Sequence, residues 1–429
     1  MIRKEKAEGK YLNKKIFKEN CYILYRRFKA LGNVLSMLAC RIFPIDKKKI
    51  CVCTFEGKGG FGCNPKYIVS KLHEMDPEIK IVWLVKDLSK DFPEYIDKAG
   101  YGTWSRAYHL STSKIWIDNY RKPYGTIKRK GQYYLNTWHG TAGFKSIGLW
   151  RGDAFSRMAY LVSRNDSKMI DAVISDSRWC DIIFPKGLIY DGPFLKTGSP
   201  RCDILFGDRS KVKEKFYEKF GIPKDQKLVL FAPTYREKSK DGVRSVSAED
   251  CSLDFDRMIF NINKMTGQKW RIVRRLHPQV AAGLVKEDND NSNIIEASFE
   301  PDMYEVLAAV DMLVTDYSSV AMEAGFMEIP VFLYADDLDT YMKERGGEQW
   351  IFHSDTSLPI YSNQEMMPGL DLRLPFPIAI NNEELEKRIL EFDPEKYSAD
   401  IKEFKDTLDL LFDGKASERV AAEVISHCK

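Results

Sequence analysis

At 429 residues the chain exceeds the usual size of one hydrophobic core, so two domains are expected, each able to bury a substantial core. Hydrophobic residues make up 44% of it, ordinary for a soluble globular protein, and its nine cysteines are scattered except for Cys51-x-Cys53, whose alternation suits one face of a strand rather than a redox or zinc motif. Reduced thiols and a cytoplasmic protein are therefore expected. The net charge of +4 hides an asymmetry, because residues 1–50 hold fourteen Lys/Arg against four Asp/Glu, a net of +10 that leaves the remainder at −6.

Within that basic start, Leu24, Phe28, Leu31, Leu35, Leu38 and Ile42 recur at a 4-3-4-3-4 spacing, which makes one apolar stripe on a helix. Arg26, Arg27 and Lys29 lie off the stripe, and Lys47, Lys48 and Lys49 follow it. The apolar stretch Ala30–Cys40, between Lys29 and Arg41, is too short to span a bilayer and fits no signal peptide. Residues 1–49 are thus either a helix docked on its own core or on a partner, or a peripheral anchor on an anionic membrane surface at its cytoplasmic face. Of the two, the anchor is expected.

Ile50–Thr54 has the pattern of a first buried strand. It leads into the glycine-rich loop Gly57-Lys58-Gly59-Gly60-Phe61-Gly62 and an amphipathic helix from Pro65 to Met75. Lys58 is not followed by the Ser/Thr of a Walker loop. Further strands are predicted at Ile79–Val85, Lys114–Asn119, Tyr133–Thr137 and Asp171–Ser175. The pattern restarts after Phe206 with a polar helix over 209–219 and strands at Leu228–Phe231, Trp270–Val273, Ile294–Ile295, Met312–Val314 and Pro330–Leu333. Residues 382–429 are predicted helical, broken at Pro394 and Gly414. Short strands alternating with helices predict two parallel α/β units, 50–206 and 207–429, facing one another across a cleft.

In open α/β sheets, ligands sit beyond the carboxyl ends of the strands. His139, Thr234, His277 and Ser318 each follow such an end. The run Val310–Val314 passes through Thr315-Asp316-Tyr317-Ser318-Ser319 into a helix reaching Gly325, where free amides and two hydroxyls suit a nucleotide phosphate. The two serines are equally compatible with simple helix capping. Thr234, Ser318 and Ser319 as neutral donors, with Arg201, Arg236 and Arg275 as charges, suit a diphosphate better than a metal centre. No zinc or calcium spacing is present, so neither a metal nor a separate cofactor is expected, and nothing calls for a nucleic-acid partner. His139 precedes Gly140, a small residue that permits close approach of a ligand, and could take a proton from a hydroxyl nucleophile. His277, between Arg275 and Pro278, fits a phosphate donor. His73, His109, His353 and His427 lack such settings and are assigned to structure.

Trp138-His139-Gly140-Thr141, Gly198-Ser199-Pro200-Arg201-Cys202-Asp203-Ile204-Leu205, Ala232-Pro233-Thr234-Tyr235-Arg236, Leu276-His277-Pro278 and Thr315-Asp316-Tyr317-Ser318-Ser319, in that order, resemble the CDP-glycerol glycerophosphotransferase family of teichoic-acid primases and polymerases. The resemblance extends to Phe55-Glu56-Gly57-Lys58 and Asn64-Pro65-Lys66 upstream and to Tyr334-Ala335-Asp336-Asp337 downstream, about residues 50–425 in all. It implies a GT-B-like pair of Rossmann-like domains. It also implies transfer of an alditol phosphate from CDP-glycerol or CDP-ribitol to a hydroxyl of a lipid-linked acceptor, with CMP released. It gives His139 the role of base, sets the turn Gly140-Thr141 beside it, and places Arg201, Pro233, Thr234, Arg275, His277, Ser318 and Ser319 around the CDP moiety. Glu323 stands where the family usually has aspartate, Ala142 where it has proline, and Gly347-Glu348-Gln349 where it has an aromatic continuation. The bare residues also admit a GT-B glycosyltransferase attacking an anomeric carbon, a nucleotide-sugar epimerase or hydrolase, and a catalytically silent nucleotide-binding scaffold.

Overall fold

The computed structural model describes residues 2–234, 236–240, 243–247, 252–281, 293–345 and 372–428; His353 and Gly347-Glu348-Gln349 lie outside them, as does Tyr235. Strands β1 (Asp46–Cys53), β2 (Lys80–Val85), β3 (Ile96–Gly100), β4 (Ser113–Asp118), β5 (Tyr133–Asn136), β6 (Ala172–Ser175) and β7 (Phe194–Lys196) build one sheet. Its order is β3-β2-β1-β4-β5-β6-β7, with every neighbouring pair parallel. Strand β8 (Gln226–Phe231) is followed by a hairpin of β9 (Arg236–Lys240) and β10 (Val243–Ser247), then by β11 (Lys269–Arg274), β12 (Ile294–Glu296), β13 (Met312–Thr315), β14 (Val331–Tyr334) and β15 (Ile378–Ala379). The second sheet runs β12-β11-β8-β13-β14-β15 and is again wholly parallel. The hairpin is antiparallel and stands apart as a two-stranded sheet.

Both orders reverse direction beside their first strand, between β1 and β4 and between β8 and β13. Such a switch point opens a crevice at the strands' carboxyl ends. Strands buried on both faces need continuous apolar runs. In β1, Ile50 and Val52 enter one core with Trp83 and Ile117, while Cys51 and Cys53 enter another with Trp116 and Tyr134. The paired cysteines therefore pack, and burial pushes the Cys51 thiol up to about 12.

One departure concerns the end of the second unit. Helix Ala416–Ser426 leaves it and returns to the first, where Val420, Ala421 and Val424 join the core that Ile68, Val69 and Leu72 share with the sheet. The returning chain is tied at its crossing point, where the Asp203 carboxylate accepts the amides of Ala416 and Ser417 at 3.0 and 2.6 Å, capping that helix. Phe206 and Phe412 stack beside it, ring centres 4.9 Å apart. Part of the Gly198–Leu205 signature therefore serves to join the two units.

The N-terminal helix runs Ile2–Ala39, longer than the amphipathic stretch predicted. It docks through a narrow line, Ile23, Ala30 and Met37, each under 8% exposed and one heptad apart. Asn33 fixes it further, donating to the Tyr124 carbonyl at 2.8 Å and accepting from Arg106 at 2.7 Å. Gly125, at φ +86°, is required there because a Cβ would lie 2.4 Å from the Ala30 carbonyl oxygen. The predicted apolar stripe is a different face and lies open. Leu24, Phe28, Leu31, Leu35, Leu38 and Ile42 are 44–81% exposed. Among the described residues, no helix is long and apolar enough to cross a membrane.

Candidate active site

The first half of the site is the turn after β5. Trp138 sits at φ +49°, a conformation costly for a bulky residue, held by its amide donating to Asn136 Oδ1 at 2.8 Å. Asn64 fastens the same turn, donating to the Thr137 and Trp138 carbonyls while its Oδ1 accepts the Arg201 amide at 3.0 Å. His139 is thereby aimed between Phe55, Tyr120 and Trp138, whose ring centres lie 5.2, 5.5 and 4.3 Å from its own. Its Nδ1 stands 2.7 Å from the Asn119 carbonyl oxygen. A carbonyl can only accept, so Nδ1 carries the proton and Nε2 keeps its lone pair, the tautomer a proton acceptor needs. Burial pushes the imidazole pKa down to about 4, the Arg201 and Arg121 charges act in the same direction, and the Asn119 hydrogen bond opposes them.

The second half lies at the carboxyl ends of β8, β11 and β13. Arg275 follows β11 and is 8% exposed. Its guanidinium donates to the Glu300 carbonyl at 2.9 Å, and its Nε has no partner among the described residues. Burial lowers its pKa, with Asp302 and Glu300 acting the other way. His277 is likewise held neutral at a pKa of about 4, by burial first and then by the charges of Arg275 and Lys145. Ser319 begins helix Val320–Phe326 without a side-chain cap hydrogen bond, so the capping alternative does not describe it. Ser319 is exposed and Ser318 half-buried.

The other predicted ligands are engaged with protein. The Arg201 guanidinium donates to Glu323 Oε1 at 2.6 Å, both side chains 3% exposed or less. Tyr304 donates its hydroxyl to the same oxygen at 3.0 Å. Thr141 is buried and donates to Asp176 Oδ1 at 2.9 Å. Thr234 gives both its amide and its hydroxyl to Asp316, each at 2.8 Å. Arg236 is paired with Asp316 at 2.8 Å and Asp337 at 2.6 Å. Pro233 and Gly140 are half-buried beside these turns and contribute backbone shape. The sequence suggested three arginines for a diphosphate. The structure keeps one, Arg275, without a carboxylate in an ion pair among the described residues. No group of three or more His, Cys, Asp or Glu able to hold a metal occurs among them either.

Residues 35–426 match the model of the CDP-Glycerol:Poly(glycerophosphate) glycerophosphotransferase family. The chain belongs to this family. It is 26% identical over 363 residues, 82% of its length, to the teichoic acid poly(glycerol phosphate) polymerase of Bacillus subtilis (strain 168), and covers 46% of that protein. To the teichoic acid poly(ribitol-phosphate) polymerase of Bacillus spizizenii it is 26% identical over 397 residues, covering 90% of this chain and 57% of that one. The chain thus spans about half the length of these two relatives. Among solved structures, a variant of the wall teichoic acid polymerase TagF soaked with CDPG superposes with a TM-score of 0.75 at 25% identity, covering 97% of both chains. A GT-B-like pair of doubly wound units is therefore the fold of this glycerophosphotransferase-family member.

Proposed function

We propose that this family member transfers an alditol phosphate, glycerol phosphate first, from a CDP-alditol to a hydroxyl of a lipid-linked glycan or polyol-phosphate acceptor, releasing CMP. The observation that carries the reading is the division of labour across the cleft. One side presents a neutral imidazole with Nε2 free to take a proton. The other presents a buried guanidinium held, among the described residues, only by a carbonyl, beside a neutral histidine and two serine hydroxyls. A buried cation with no carboxylate in contact among the described residues is costly, and a diphosphate would relieve that cost. Attack of the acceptor oxygen on the phosphorus bearing the alditol forms one P–O bond and breaks the bond to the bridging oxygen. The acceptor's proton goes to His139, and the electron pair of the broken bond goes to CMP. Arg275, His277, Ser318 and Ser319 would hold the donor in line.

Incubation with CDP-glycerol, CDP-ribitol and UDP-sugars plus a lipid-linked acceptor tests the reading. CMP release from a CDP-alditol is expected, and the faster donor identifies the alditol. UDP release from a UDP-sugar without CMP from either CDP-alditol would replace the proposal with a glycosyltransferase. Replacing Ser318 and Ser319 together by alanine should weaken CDP binding by about 1 to 3 kcal/mol, the range for hydrogen bonds to a charged group. Calorimetric titration showing unchanged affinity in the folded double variant would remove both serines from the donor site.

The open stripe on helix Ile2–Ala39 supports peripheral attachment at the cytoplasmic face of the membrane. Phe28 on the helix and Ile42 just beyond it are 77% and 81% exposed, and Arg27, Lys29 and Arg41 in the same stretch are exposed as well. An apolar face bordered by cations suits an anionic leaflet. Phe28→Asp with Leu35→Asp leaves the Ile23, Ala30 and Met37 face untouched. This variant should lose flotation with anionic vesicles while keeping its melting temperature. Binding equal to that of the unaltered protein would place the anchor elsewhere.

A further inference from the structure

The turn that carries His139 continues into a loop lodged between the two units. Ala142 and Phe144 are 0% and 1% exposed and share a core with Tyr317, Val320 and Ala321 of the second unit. Gly143, between them, lies against the second unit's phosphate turn, where a Cβ would stand 3.6 Å from Ser319 Cβ. The next residue after Phe144 is Lys145. Its ammonium lies 5.3 Å from the ring centre of Tyr341, which itself stacks on Tyr317 at 4.0 Å. Lys145 also lies close enough to His277 for its charge to act on that ring. Among the described residues it forms no ion pair with a carboxylate, in contrast to Arg201 and Arg236. An aromatic face attracts a cation but does not neutralise it.

We propose that Lys145 is the first unit's ligand for the donor diphosphate and balances the charge that develops on departing CMP; this rests on the transfer reading given above. When the bond between the alditol-bearing phosphorus and the bridging oxygen breaks, its electron pair stays on CMP and the acceptor's proton passes to His139. Lys145 keeps its own proton throughout, contributing charge and N–H donors where negative charge grows. Arg275, Ser318 and Ser319 come from the second unit, so a diphosphate held also by Lys145 bridges both. Because His139 and Lys145 share one anchored loop, the same contact that recognises the donor sets the base. Donor binding and alignment for attack become one event.

The test compares Lys145→Met, which keeps an apolar stem of similar reach, with Lys145→Arg, which keeps the charge. CDP and cytidine affinities and single-turnover rates are measured for each, alongside melting temperature. The methionine variant should bind CDP at least tenfold more weakly, bind cytidine as the unaltered protein does, and react at least a hundredfold more slowly. Arginine should recover at least tenfold of that rate. A role in holding the loop alone would weaken CDP and cytidine together and would not be rescued by charge. That result overturns the proposal, as does a methionine variant within twofold of the unaltered protein in CDP affinity and rate. Should methionine disturb the loop, Lys145→Gln makes the same comparison with the same expected losses. Failure of the transfer reading looks different, because the unaltered protein itself would then release no CMP from any CDP-alditol, and the role given to Lys145 would fall with it.

Discussion

Replacing His139 by glutamine should lower the single-turnover rate by about a hundredfold or more while CDP still binds, the size expected when a general base is lost. Glutamine can still donate to a phosphate but cannot accept a proton at neutral pH, so the substitution separates proton transfer from positioning. The structure supplies the reason for expecting a base, since the Asn119 carbonyl compels the proton onto Nδ1 and leaves Nε2 unprotonated. The pH dependence has a definite sign. A base must be neutral to take a proton, so if His139 has the proposed role the rate falls as pH drops through its pKa. With the free imidazole at about 4, the acid limb of kcat/KM should lie well below the ordinary histidine value of about 6.5. A bound diphosphate brings negative charge near the ring, favours the imidazolium and raises its pKa. The acid limb of kcat should therefore fall at higher pH than that of kcat/KM. Near-normal chemistry in His139→Gln would leave this residue a binding group.

The second large effect is on stability. Arg201 and Glu323 form a buried ion pair between the two units, and Tyr304 lies under the guanidinium as well as bonding the same carboxylate. Burial pushes the Glu323 carboxyl above its usual range, and the arginine charge pulls it back. Arg201→Met leaves that carboxylate buried without its cation, which should cost about 3 to 5 kcal/mol. Denaturant melts should show the loss. Replacing both partners by apolar residues should recover much of it, because the uncompensated charge is then gone. A single variant within about 1 kcal/mol of the unaltered protein would mean that water reaches the pair.

Some of these features are written in the sequence and some are not, for physical reasons. Strands β1, β2, β4, β8 and β13 were legible because burial on both faces demands unbroken apolar runs. Strand β3, Ile96-Asp97-Lys98-Ala99-Gly100, was missed because an edge strand exposes polar residues, and the charged hairpin β9–β10 for the same want of an apolar run. The two histidines and the serine turn could be found from their positions at strand ends. Which arginine lacks a carboxylate partner among the described residues could not, since Arg201 is neutralised by a carboxylate 122 residues away and Arg275 is not. The Asn119 carbonyl that sets the His139 tautomer leaves no mark in the sequence, because any residue type offers the same oxygen. Lys145 belongs to none of the sequence motifs; its spacing six residues after His139 was the available signal.

The return of helix Ala416–Ser426 to the first sheet bears on how this chain is made. A ribosome delivers residues 46–196, the whole strand set of that sheet, long before Val420, Ala421 and Val424 exist to complete its core. During that interval the core that Ile68, Val69 and Leu72 share with the sheet stays incomplete while the second sheet is being synthesised. The first unit can finish folding only after the second has been made. The order of synthesis is thus the reverse of the order of completion.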